Sequence, residues 1–95
     1  MKESRLFSVV SSEEGDQVFI HLDLDGVDYL INELNQIKIM LNENNCPHTN
    51  LFTKEWGGSE LSSSKLLAQK DEVNQVNHLK IYGWNDEWKR KHKLL

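Results

Sequence analysis

The chain has one cysteine, one proline and no long apolar run among its 95 residues. A single thiol, Cys46, excludes an internal disulfide and gives no Cys pair to a metal site. A single proline excludes a proline-rich linker or low-complexity tract. No apolar stretch approaches the roughly 18 residues that a membrane span needs. The opening Met1-Lys2-Glu3-Ser4-Arg5 lacks the apolar segment of a secretory leader, so the cytoplasm is the expected location. Basic residues are scarce over most of the length. Of 11 in all, four (Lys89, Arg90, Lys91, Lys93) fall in the last seven residues. The other 7 face all 15 acidic residues within 1–88, a balance of −8. Such an acidic body disfavours nucleic acid and steers a basic partner toward itself.

What remains is an ordinary globular composition, 38% hydrophobic and 27% charged, of a size to fold as one domain. The expected ordered body is 5–88, with 89–95 as a solvated basic tail. Residues 5–10 are short and β-prone, and the polar stretch 11–16 with Gly15 reads as a hairpin connection. Residues 17–24 alternate, with Val18, Ile20, Leu22 and Leu24 on the side expected to face a core. Asp25 is the expected N-cap of a helix whose stripe is Val27, Leu30, Ile31, Leu34, Ile37 and Leu41. That helix should stop near 42–45, before Cys46-Pro47. A third strand follows at 48–53 and a fourth at 77–84. Between them lies a long loop, 54–76, with a short helical piece expected near 65–69. The fold expected is α+β: a four-stranded antiparallel sheet in the order β-β-α-β-β, with one helix on one face.

The open face of that sheet would carry His21, His78, Lys80, Tyr82 and Trp84, with Trp56 on the adjoining loop. Aromatics with polar neighbours on an uncovered surface are the material of binding hot spots. Trp56 and Trp84 could instead fold over a second, small core. Glu55, Glu60, Asp86 and Glu87 surround the same region and suit a Lys/Arg-rich partner. Catalytic chemistry finds little support. Cys46 and His48 offer a thiol and a base but no oxyanion site. Asp23 and Asp25 are accounted for by capping and solvation, and Gly57-Gly58 lacks the Lys-Ser/Thr of a phosphate loop. His21, His48 and His78 show no ligand spacing, so no metal or cofactor is expected. The alternative to a protein binder is a small metal- or ligand-binding module using the open face.

Three segments carry a family resemblance. They are His21-Leu22-Asp23-Leu24-Asp25-Gly26, then Thr53 to Ser62 around Trp56-Gly57-Gly58, then Asn77-His78-Leu79-Lys80-Ile81-Tyr82. The chain resembles the immunity protein 32 family of bacterial polymorphic toxin systems, over most of 17–84. The resemblance implies an α+β antidote without catalytic activity that silences a cognate toxin; the acidic body makes a basic, nuclease-like domain the natural partner. The resemblance also implies that the matching positions Asp25, Gly26, Gly57, Gly58 and His78, and on the same logic Trp56, serve the scaffold. The partner contacts expected are Trp56, Glu55, Glu60, Tyr82, Trp84, Asp86 and Glu87.

Overall fold

The computed structural model describes residues 5–63 and 73–94. Its strands are β1 (Phe7–Ser12), β2 (Val18–Leu22), β3 (His48–Phe52), β4 (Val73–Gln75) and β5 (His78–Tyr82). Its helices are α1 (Leu24–Asn42) and α2 (Asp86–Lys91), with a 3-10 turn at Lys54–Trp56. The class is α+β with antiparallel pairing, as expected. The single four-stranded sheet is not. The strands form a three-stranded sheet, β2-β1-β4, and a two-stranded ladder, β3-β5.

Local chain geometry explains the division. Leu61 donates its N–H to the Phe52 carbonyl (3.1 Å), and Ser62 donates its own to the Phe7 carbonyl (2.7 Å). Phe7 N–H returns to Ser62 Oγ at 3.0 Å. The segment Leu61–Ser62 therefore occupies the place where β1 and β3 would have met. β4 pairs with the far end of β1, Val73 opposite Ser12, and the chain then bends through Val76 and Asn77 into β5. The loop expected over 54–76 thus contains a 3-10 turn, a bridge between Thr53 and Leu61, and a strand. The helical piece expected near 65–69 lies outside the described residues.

The cap of α1 lies two residues before the expected one. Asp23, not Asp25, is the N-cap, and its carboxylate accepts the Gly26 N–H at 2.7 Å. Asp25 sits inside the first turn, where negative charge suits the helix dipole. The other end closes at Asn42, as expected ahead of Cys46-Pro47. Asn44 adopts a left-handed φ of 65°. Its N–H reaches the Leu41 carbonyl, while that of Asn45 reaches Met40. Those paired bonds satisfy the last helical carbonyls.

The hydrogen bond from Gly26 holds the Asp23 carboxyl below its ordinary range. A group depressed in the fold stabilises fully above its unfolded pKa and loses that contribution as pH falls through the folded one. Acidification below about pH 4, where free aspartates protonate, should therefore weaken the start of α1. Asp23→Asn caps without a charge. The variant's urea midpoint should fall less with acidification than that of the native chain.

The buried centre is Phe7, Val9, Leu51 and Leu61, with Tyr29, Leu30, Leu79 and Ile81 against it. Val10, Ile37 and Val73 are also buried. The expected core face of β2 is not: Val18 is 60% and Ile20 49% exposed, and Leu24 lies in solvent. Only Leu22 of that set touches the centre. Gly26 is buried where α1 crosses the start of β1, and a Cβ there would run into the Leu6 carbonyl oxygen. Backbone cannot yield as a side chain does. Gly26→Ala should cost about 2 kcal/mol, read as a lower urea midpoint at unchanged m-value.

Candidate functional site: the outer face of the β3-β5 ladder

Alternation along β3 and β5 sends Leu51, Leu79 and Ile81 inward, with Thr49 on the same side. Thr49 donates to Glu33 of α1 at 2.8 Å, which marks that side as the helix side. The pairs His48–Tyr82, Asn50–Lys80 and Phe52–His78 consequently line the other face. Here the expectation for His78, Lys80 and Tyr82 holds, and His48, Asn50 and Phe52 join them.

These side chains make a continuous ribbon. Phe52 and His78 stack with centroids 4.4 Å apart, and His78 Nε2 lies 2.9 Å from Asn50 Oδ1. The Nε2–H tautomer donates to that amide oxygen and fixes the ring. At the other end His48 meets Tyr82 at 6.0 Å, and Tyr82 meets Trp84 at 6.4 Å. Trp84 then meets His92 edge-on at 5.1 Å, and His92 stacks with Trp88 at 5.3 Å. Lys80 lies over the Tyr82 ring at 5.0 Å and Lys91 over Trp88 at 4.7 Å. Each is a cation–π contact with an aromatic face. Cys46, His48, Tyr82, Gly83, Trp84, Trp88 and His92 enclose a shallow cavity of about 270 Å³.

Sequence reasoning assigns no role to Trp88, the last residue of the expected body, and places His92 in the expected solvated tail. Residues 86–91 are helical, so α2 runs across the expected boundary at 88. Asn85 caps it, accepting the Trp88 N–H at 2.9 Å. Asp86 and Glu87 fill its first turn, and Lys89, Arg90 and Lys91 its last. Acid first and base last is the polarity a helix favours. That signal was available in the sequence.

The expected contact residues divide into two groups. Trp56 is 60% exposed on the 3-10 turn after Phe52, beside Glu55. Tyr82, and after it Trp84, Asp86 and Glu87, belong to the other end of the ladder, whose two ends are about 14 Å apart at 3.4 Å per residue. Neither tryptophan is buried: Trp84 retains 37% of its surface. Glu55 accepts the Ser63 hydroxyl at 2.5 Å, and that bond lowers its carboxyl pKa. Lys89, 2.8 Å from Asp86, lowers the Asp86 carboxyl in the same direction.

Glu60 has an internal duty instead. It is half-buried, and its carboxylate accepts the Phe52 N–H at 3.0 Å. The two glycines of the Trp-Gly-Gly turn also divide the work. Gly57 takes a left-handed φ of 90° to end the 3-10 turn. Gly58 lies so close to Phe52 that a Cβ would come 2.6 Å from the Phe52 Cβ.

His21, His48 and His78 do not converge. His21 is half-buried in the three-stranded sheet, paired with Ser8, and does not belong to the ribbon. His48 and His78 share the outer face but stand at opposite ends of it. Among the described residues, no three His, Cys, Asp or Glu side chains are grouped to hold a metal ion. No described helix is long and apolar enough to cross a membrane. No family model, curated protein or solved structure matches the chain.

Proposed function

We propose that this chain is a non-catalytic immunity protein, which neutralises a cognate bacterial toxin by binding it one to one. The observation that carries the reading is the exposed ribbon from Phe52 and His78 through Tyr82 to Trp84 and Trp88. Large aromatics held in place by stacking lose little side-chain freedom on binding, which is why Trp and Tyr anchor interfaces. The cavity beside Trp84 offers a socket for one apolar side chain of the partner. Glu55 stands at one end of the ribbon, with Asp86 and Glu87 at the other. A basic toxin surface meets complementary charge at the Glu55 end, while at the other end Asp86 is paired with Lys89 and α2 closes on basic residues; occlusion of the toxin's active site or an exosite would silence it. The resemblance of three segments to the immunity protein 32 family points the same way.

Co-expression with a toxin domain encoded beside this chain tests the reading. Growth should be rescued, and a one-to-one complex should be recovered by gel filtration. Continued toxicity with no complex would sink it. The cavity favours a second reading, a small-ligand module. Its mark would be a saturable thermal shift with a small planar aromatic, absent in Trp88→Ala.

A further inference from the structure

β2 is an edge strand: among the described residues it pairs with β1 alone. Two hydrogen bonds set the parity of that pairing. Ser12 donates to the Gln17 carbonyl at 2.9 Å, and Asp23 donates to the Leu6 carbonyl at 3.3 Å. Residues 17, 19, 21 and 23 therefore turn their backbone groups toward β1. The N–H and C=O groups of Val18, Ile20 and Leu22 point away from it. That row is a template for another strand.

An apolar surface adjoins the same edge. Val18 and Ile20 lie on the face that α1 covers at Phe7 and Val9, yet both remain exposed. α1 leaves Val27, Ile31 and Leu34 exposed along one flank. The opposite flank bears Tyr29, under the Arg5 guanidinium at 3.9 Å. Arg5 reaches the Ser59 and Glu60 carbonyls, on the side of β1 away from β2. At 3.6 residues per turn, Val27, Ile31 and Leu34 consequently face the β2 side. Strand edge and helix flank form one apolar surface.

Natural edges are protected by charge, proline or a bulge. β2 reads Val18-Phe19-Ile20-His21-Leu22, with no carboxylate, Lys, Arg or proline and an unbroken register. Acid stands at both ends instead: Glu13, Glu14 and Asp16 before it, and Asp23, Asp25 and Asp28 after it, all exposed.

We infer that this edge receives an extended segment of a partner protein, apolar at its centre and bearing Lys or Arg at both ends. A second copy of this chain fits worse. In antiparallel self-pairing, the acids before β2 of one copy would oppose those after β2 of the other, at both ends. The inference rests on the reading of the chain as a protein binder and gives it a second contact surface beyond the ribbon.

The test is an NMR titration of the full chain with the peptide Lys-Lys-Val-Thr-Val-Thr-Val-Lys-Lys and a Glu-flanked counterpart. The Lys-flanked peptide should shift the amides of residues 18–22 and slow hydrogen exchange at Val18 and Ile20. The Glu-flanked one should bind at least about tenfold more weakly, with the gap closing at high salt. Ile20→Lys, at an exposed position, should stay folded and lose the response. Equal or absent shifts with the two peptides overturn the proposal. So does protection of Val18 and Ile20 through self-association without peptide. Toxin neutralisation by a chain whose β2 stays silent overturns the edge proposal alone. Peptide capture by a chain that neutralises nothing overturns the toxin reading alone.

Discussion

Phe7→Ala should destabilise the fold by about 4 kcal/mol, within the range of buried Phe truncations. Against a total stability of about 5–15 kcal/mol for a native domain, that is a large share. Phe7 is fully buried, and its ring meets Tyr29 edge-on at 6.2 Å. Tyr29 in turn carries the Arg5 guanidinium on its face. Burial, then the nearby carboxylates of Glu33 and Glu60, raises the Tyr29 phenol pKa. The backbone of Phe7 is bonded on one side to Ser62 and is paired on the other with Leu22 of β2. An empty space at Phe7 therefore faces α1 and lies beside both neighbouring backbone segments. Urea unfolding followed by far-UV circular dichroism should show the loss. Ile20→Ala, removing a half-exposed side chain of the same face, should cost about 1 kcal/mol or less. If the two variants unfold at similar urea concentrations, Phe7 is not the centre of this fold.

That contrast also shows what periodicity can reveal. Alternation at 17–24 correctly groups Val18, Ile20 and Leu22 on one face of a strand. It does not say whether anything covers that face. One 19-residue helix spans only part of the sheet, and its deepest contacts fall on β1 and on Leu22. The helical stripe behaves alike: Leu30, Ile37 and Leu41 turn inward, while Val27, Ile31 and Leu34 share the period and stay outside. β3 and β5 were legible because their alternation is local and the helix covers one side of them. β4 was not, since three residues carry no period. The two-sheet arrangement was hidden for a different reason. It depends on Leu61–Ser62 reaching Phe7, some 55 residues away in sequence, and no local pattern encodes such a meeting. Of the candidate site, His78, Lys80, Tyr82 and Trp84 could be placed on one face from sequence. Phe52, Asn50 and His48 could not, because their opposition to β5 is a matter of register. Trp88 and His92 were obscured by the four basic residues around them.

Under the proposed function, Tyr82→Ala with Trp84→Ala should weaken partner binding by at least about 100-fold, or about 2.7 kcal/mol, the loss that truncating two hot-spot aromatics brings. Both side chains are exposed at the end of the ladder, so the double variant should keep its circular dichroism spectrum. The loss should appear mainly in the dissociation rate, because anchors act once the partner is seated. Charge reversal at Glu55, Asp86 and Glu87 should act on association and flatten its dependence on salt. Glu60 does not belong in that set. Its carboxylate accepts the Phe52 N–H, and a lysine there would disturb the turn itself. Trp56→Ala locates the partner along the ribbon, as Trp56 follows the Phe52 end of the ladder and Trp84 the Tyr82 end. Equal losses from Trp56→Ala and Trp84→Ala would place both ends under the partner, and a loss only at Trp84 would centre it on the cavity. Surface plasmon resonance across a salt series reads all of these quantities. Unchanged affinity in the Tyr82/Trp84 double variant, with the fold intact, would remove the ribbon from the interface and leave the β2 edge as the surface to test.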